Sequence, residues 1–385
     1  MRKNALLLFV AALLTAGAFF KNRAHEARWT PPALEQQGLR DALNDFSSDA
    51  AGVLSAAREQ SATVATLPGQ SVSGRQAAGR STTPQGHGYT LLSEPTSGRT
   101  QILSLLKGAQ SAIDLTIYEI EDPLIITALA DAAKRGVQVR VLYNFYSFQK
   151  YGHDPNAPYI AELKKAGVKT KPAGEQFAIT HQKTLVIDGS AAVIMTFNLA
   201  PGYFSGTRDF GIITYDAGQV AEIGKVFEAD WAYKSVSVSE PALVWSPDNS
   251  REKILGVIKG AAKTLEVYNE ETEDPQCMQA LIAAAKRGVK VRFITAILKN
   301  GSVDGNAAER QVLNAHGVKA EGLASPFIHA KIVLADAGGT AGKAYLGSEN
   351  FSSYSLDKNR ELGIILEDPA ILSSIHSTFD SDWVK

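Results

Sequence analysis

Two short stretches of the chain share an arrangement suited to phosphoester chemistry. Thr180-His181-Gln182-Lys183 runs into Thr184-Leu185-Val186-Ile187 and Asp188, and Ile328-His329-Ala330-Lys331 runs into Ile332-Val333-Leu334-Ala335 and Asp336. Each reads His-x-Lys, four residues, Asp. An apolar, partly β-branched run of this kind predicts a strand, along which His and Lys, two apart, point to one side while Asp turns away or ends the strand. Beyond each lies a hydroxyl and amide pair, Thr196-x-Asn198 and Ser348-x-Asn350, expected to share a face, and then an acidic residue, Asp209 or Glu361.

These residue types suit cleavage of a phosphodiester. The substrate carries one negative charge, which Lys183, Lys331, Asn198 and Asn350 can hold while electron density builds on the phosphoryl oxygens. A neutral imidazole, of His181 or His329, attacks phosphorus and splits one hard step into two easier ones through a phosphohistidine. The other imidazole, protonated, gives its proton to the leaving oxygen and takes one from the incoming nucleophile. Each ring needs its second nitrogen held, a task for a carboxylate such as Asp209 or Glu361. Asp188 and Asp336 are expected as supports of the motif. Neither a metal nor a cofactor is expected: the motifs contain no metal-like ligand cluster, and the single Cys277, read as buried, excludes a cysteine-built zinc site.

Elements that position such a pair of motifs must themselves be paired, and the sequence repeats internally. Pro95 and Pro247 lie 152 residues apart, and the same offset aligns Asp122-Pro123 with Asp274-Pro275, Ala132–Val137 with Ala284–Val289, Asn198 with Asn350, Arg208 with Arg360, and Trp231 with Trp383. A period this long marks a duplicated domain rather than a solenoid. The halves are assigned to 89–235 and 242–385. In the first, Ala112–Tyr118 reads as a strand, Pro123–Lys134 as a helix capped by Asp122 and ended by Gly136, and Val137–Tyr143 as a buried strand. Thr264–Tyr268, Pro275–Lys286 and Val289–Thr295 repeat them. Such alternation predicts an α/β fold of two tandem homologous lobes, each a mostly parallel sheet flanked by helices.

The paired His-x-Lys-x4-Asp pattern, each copy followed by Ser or Thr-x-Asn, resembles the phospholipase D superfamily over roughly Tyr89 to Trp383. The resemblance implies that the lobes pack with a pseudo-two-fold about one shared active site. It makes His181 the nucleophile and His329 the proton donor, sets Lys183, Asn198, Thr196, Lys331, Asn350 and Ser348 around the phosphate, and gives Asp209 and Glu361 the task of orienting the rings. The chain departs from the family pattern with Met195-Thr196 in place of Gly-Ser, and with four extra residues between Asp336 and Gly347, read as a hairpin turn.

Arg2 and Lys3 precede an apolar run, Ala5–Phe20, with Ala16-Gly17-Ala18 at cleavage spacing, so residues 1–20 read as an export signal. The run is shorter than the roughly 20 residues of a spanning helix, and an uncleaved anchor is the second reading. Residues 21–88, rich in Ala, Ser, Thr, Gly and Gln, read as a flexible low-complexity linker. With 45% hydrophobic and 21% charged residues the 385-residue chain is globular in composition, and a net charge of −1 excludes any overall pull on polyanions. The expected protein is an exported, periplasmic or secreted, monomeric phospholipase D. It would hydrolyse phosphatidylcholine-like phospholipids at a membrane surface to phosphatidate and free alcohol, exchanging head groups when an alcohol replaces water. The alternatives are a metal-independent nuclease acting on nucleic acid, a cardiolipin-synthase-type phosphatidyltransferase, and a non-catalytic lipid- or nucleic-acid-binding module.

Overall fold

The computed structural model describes residues 88–383 apart from 96–97, 151, 153, 298 and 301–302. The expected signal and all but the end of the linker lie outside the described residues. In the first half β1 (Thr90–Glu94), β2 (Ala112–Ile117), β3 (Gln138–Tyr143), β4 (Lys169–Pro172), β5 (Thr184–Ile187), β6 (Ala191–Met195) and β7 (Thr207–Thr214) form a sheet in the order β1-β7-β6-β5-β2-β3-β4. The second half holds β8 (Leu243–Ser246), β9 (Thr264–Asn269), β10 (Lys290–Ala296), the small hairpin β11 (Lys299–Asn300) and β12 (Val303–Asp304), β13 (Lys319–Leu323), β14 (Phe327–Ile328), β15 (Ile332–Ala335), β16 (Lys343–Gly347) and β17 (Glu361–Leu366). Its sheet, β8-β17-β16-β15-β9-β10-β13, repeats the order of the first strand for strand.

The two α/β lobes are those the repeat predicts, but each sheet is mixed rather than mostly parallel. Within each lobe's own sheet, parallel pairing is confined to β2-β3-β4 and β9-β10-β13. Helices Pro123–Lys134 and Ala157–Lys165 cross over between the first three, and Pro275–Lys286 and Ala307–Ala315 between the second three. Connections such as Asp188-Gly189-Ser190 between β5 and β6 are too short for a crossover, so those strands run antiparallel. The extra residues after Asp336 form the turn between antiparallel β15 and β16.

Local signals act as the sequence suggests. Asp122 accepts hydrogen bonds from the Leu124 and Ile125 amides at the start of its helix, and Asp274 accepts one from Cys277. Gly136 and Gly288, at φ 93° and 90°, take the left-handed conformation that ends the same two helices. Asp188 and Asp336 close the motif strands. Their carboxylates accept the amides of Gln110, Ser111 and Ala112, and of Ala262, Lys263 and Thr264, tying the end of β5 to the start of β2 and β15 to β9. Burial works against ionisation there, but these donors outweigh it and hold the Asp188 carboxyl down to about 2.

Alternation along the strands builds the core between the lobes. Val193 and Met195 of β6 face the outer core of the first lobe, whereas Ala192 and Ile194 face inward with Ile212, where they join Leu334, Leu346 and Ile364 of the second. The seam also exchanges backbone and charge. β14 pairs with β7 of the other lobe, placing Ile328 opposite Arg208, and Thr180 bridges Arg360 in return. Arg208 Nε meets Asp382 Oδ2 at 2.6 Å and Arg360 Nε meets Asp230 Oδ2 at 3.0 Å, all four side chains being buried. Because 208 and 360, like 230 and 382, are repeat positions, the two ion pairs are copies of one contact made twice across the pseudo-two-fold.

Candidate active site

The strands expected to begin at the histidines begin after the lysines, at Thr184 and Ile332. The backbone before them is committed elsewhere. The amides of His181 and Gln182 donate to the Arg360 carbonyl at 2.9 and 3.0 Å, and those of His329 and Ala330 to the Arg208 carbonyl at 3.2 and 2.9 Å. Each histidine is thus fastened to the opposite lobe, one residue from that lobe's acidic residue.

The consequence is a crossed pair. His181 Nδ1 lies 2.8 Å from Glu361 Oε2, and His329 Nδ1 lies 2.9 Å from Asp209 Oδ1. Both carboxylates are buried and held in turn: Thr196 and Thr207 hydroxyls donate to Asp209 at 2.5 and 2.6 Å, while Ser355 and Asn359 donate to Glu361. With Nδ1 fixed, Nε2 of each ring is the nitrogen left for chemistry. Aromatic edges brace the rings, Tyr118 at 4.9 Å from His181 and Tyr203 at 4.8 Å from His329.

Around them stand the side chains expected to hold a phosphate. Lys183 Nζ donates to the His181 carbonyl at 2.6 Å, and Lys331 Nζ to the His329 carbonyl and, at 2.9 Å, to Glu270. Asn198 and Asn350 are buried, and among the described residues their Oδ1 atoms lack partners. Their Nδ2 atoms donate to Glu119 at 3.3 Å and Glu270 at 3.5 Å. Thr196 and Ser348, expected beside the phosphate, have their hydroxyls engaged elsewhere. Thr196 donates to Asp209 and accepts the Phe210 amide, and Ser348 accepts the Leu362 amide at 3.2 Å. Both brace the strand that carries the orienting carboxylate.

Sequence reasoning passed over Tyr118, Glu119 and Glu270. They follow directly on β2 and β9, at the carboxyl ends of the strands, where an open sheet most often places its site. A signal existed, since the repeat offset sets Tyr118 against Glu270 and Glu119 against Glu271, so an acidic residue recurs just past the strand in each half.

Burial and the neighbouring Lys183 ammonium push the His181 imidazole down to about 4, against the pull of Glu361, so it is neutral at pH 7. Burial and Lys331 push Lys183 down to about 7, and burial with Glu121 pushes the Glu119 carboxyl up to about 7. As pH rises through about 4, His181 gains its free lone pair; as pH rises through about 7, Lys183 loses its positive charge and Glu119 gains a negative one. The pH profile of kcat/KM is therefore expected to be a bell with its plateau between these limits, and a profile still climbing above pH 8 would contradict the assignment.

Among the described residues one group has metal-like spacing, Glu266, His376 and Asp380. Arg292 pairs with both Glu266 and Asp380, so a guanidinium already bridges these carboxylates.

A family model described as "Cardiolipin synthase, PLD-like domain" matches residues 102–231 and again 254–383. Cardiolipin synthase of Halalkalibacterium halodurans is 25% identical over 325 residues, covering 73% of this chain and 63% of that protein. Cardiolipin synthase A of Pseudomonas aeruginosa is 30% identical over 115 residues, 30% of this chain and 23% of that one. The chain thus spans less than two thirds of the curated relatives it matches. Polyphosphate kinase of Porphyromonas gingivalis superposes with a TM-score of 0.60 at 18% identity, over 76% of this chain and 50% of that one. Phosphatidylserine synthase of Haemophilus influenzae does so with a TM-score of 0.55 at 13% identity, over 75% and 84%; both likenesses concern the fold. The matched segments fall one to each lobe and each carries one His, Lys and Asn set, so the chain belongs to the phospholipase D superfamily, with two tandem phospholipase D-like domains.

Proposed function

We propose that this protein is a phosphatidyltransferase, moving a phosphatidyl group from a phospholipid donor to an alcohol through a phosphohistidine on His181. The observation that carries the reading is the crossed pair: two imidazoles with Nδ1 fixed by opposite carboxylates, among two complete Lys and Asn sets. Nε2 of His181 attacks phosphorus, the bond to the leaving alcohol breaks, and that oxygen takes the proton from Nε2 of His329. An acceptor alcohol then returns a proton to His329 as its oxygen displaces the imidazole from phosphorus.

Sequence reading alone put hydrolysis of phosphatidylcholine-like lipid first. The cardiolipin synthase relatives favour transfer, in which the second nucleophile is a lipid hydroxyl and not water. Nucleic acid fits the site less well, because Glu119 and Glu270 stand beside the phosphate groups and would repel a polymer carrying a charge at every step. The reading includes an exported protein meeting its substrate at a membrane surface.

Vesicles containing phosphatidylglycerol, incubated with the full chain and with a chelator present, test it. Cardiolipin and free glycerol are expected in equal amounts, and neither with His181→Ala. Phosphatidate as the sole product would restore hydrolysis, and cleavage of single-stranded DNA without lipid turnover would sink both lipid readings.

A further inference from the structure

The pseudo-two-fold that relates the lobes sets unlike residues at the position just past β2 and β9, beside the lysines of the site. Tyr118 occupies it in the first lobe and Glu270 in the second. Tyr118 turns an aromatic ring to His181 and to Lys183, whose Nζ lies 5.1 Å from the ring centre. A ring supplies no anion, so it does not compete for the lysine. Glu270 does the opposite. Its Oε2 lies 2.9 Å from Lys331 Nζ, 3.5 Å from His329 Nε2 and 3.5 Å from Asn350 Nδ2. These are the second lobe's ammonium, reactive imidazole nitrogen and amide, the three groups that would face a non-bridging or leaving oxygen of the substrate. One carboxylate oxygen answers all of them.

We propose that Glu270 is a built-in occupant of the phosphate seat, so that a phosphodiester binds the second lobe by exchanging with a carboxylate, and the two histidines are made unlike at their reactive nitrogens by this residue. The inference rests on the reading of the site as a phosphoryl-transfer centre. Charge and hydrogen bonding support it. Burial opposes ionisation of Glu270, but Lys331 and then His329 outweigh it and hold the carboxyl well below its usual range, so the seat is filled by an anion before substrate arrives. Exchange of anion for anion explains how Lys331, wholly buried, keeps a counter-charge in the free protein. It also sets a threshold: weakly held anions fail to displace Glu270, whereas a diester that brings contacts from its lipid portion succeeds.

The test measures binding of inorganic phosphate to the full chain by titration calorimetry, in the wild type, Glu270→Gln, Glu270→Tyr and Glu271→Gln. Removing the competing charge at contact distance is expected to tighten phosphate binding by at least about tenfold in Glu270→Gln. Glu270→Tyr, which restores the first lobe's residue, is expected to tighten it as well. Glu271→Gln removes a carboxylate from the next residue without opening the seat, and its effect is expected to be several-fold smaller. In turnover, Glu270→Gln is expected to lower KM and kcat together, since His329 loses the acceptor at Nε2 while the substrate loses its competitor. Unchanged or weaker phosphate binding in Glu270→Gln would overturn the proposal, as would equal tightening in Glu271→Gln, which would mark a general charge effect. Because phosphate binding needs no turnover, the expected order of affinities in a protein that forms no cardiolipin would uphold Glu270's place while removing the transferase reading.

Discussion

His181→Asn is expected to form no phosphoenzyme and to lower turnover by roughly 10^4-fold or more, whereas His329→Asn is expected to lose turnover but keep the capacity to be phosphorylated. The two rings differ in their surroundings. His181 is partly buried beside Lys183, with Lys331 also pressing on it, and is driven down to about 4, so at neutral pH it has a lone pair for phosphorus. His329 has a carboxylate at each nitrogen, Asp209 at 2.9 Å from Nδ1 and Glu270 at 3.5 Å from Nε2, the surroundings of a group that carries and returns a proton. A donor with a p-nitrophenyl leaving group separates the roles because its departure needs no protonation. With such a diester, His329→Asn should release one equivalent of nitrophenolate and retain an acid-labile, base-stable phosphoryl group, and His181→Asn should release none. The reverse pattern would exchange the assignments.

Much of this was legible before any coordinates. The offset of 152 residues gave the duplicated lobes, and Asp before Pro with Gly beyond gave the first crossover helix of each lobe at its observed bounds. Those features are local, written in capping chemistry and in the period of apolar residues. What was not legible depends on how one lobe meets the other. Nothing in a His-x-Lys spacing says that His181 will donate its amide to Arg360 and its ring to Glu361; the strand therefore looks as if it should begin at the histidine, and instead begins at Thr184. Alternation likewise placed Thr196 and Asn198 on one face. The chain leaves β6 at Met195, so the two-residue rule ceases to hold between them, and Thr196 turns to Asp209. Glu119 and Glu270 went unnoticed because an acidic residue just past a strand is most often solvated, whereas in the folded site these two are only partly exposed.

The crossed seam that orients the histidines also holds the lobes together, and Arg208→Met is expected to cost about 3–5 kcal/mol of stability, measured by denaturant unfolding. Arg208 reaches Asp382 with two nitrogens, at 2.6 and 3.0 Å, and donates to the Glu94 carbonyl from a third. Methionine fills much of the same volume but leaves Asp382 buried with the Tyr268 hydroxyl, at 2.8 Å, in place of a counter-ion. An uncompensated carboxylate, more than a lost attraction, is the source of the penalty. The double variant Arg208→Met with Asp382→Leu should therefore recover most of the loss, and a single variant within 1 kcal/mol of wild type would show that solvent reaches the seam. Activity should fall further than the folded fraction explains. The Arg208 carbonyl accepts the His329 amide, and Asp209 beside it accepts the His329 ring, so any slip of β7 against the second lobe displaces the proton donor before the protein unfolds. The reciprocal pair Arg360 and Asp230 stands in the same relation to His181 and Glu361, which couples the fixing of each lobe to the chemistry of the other.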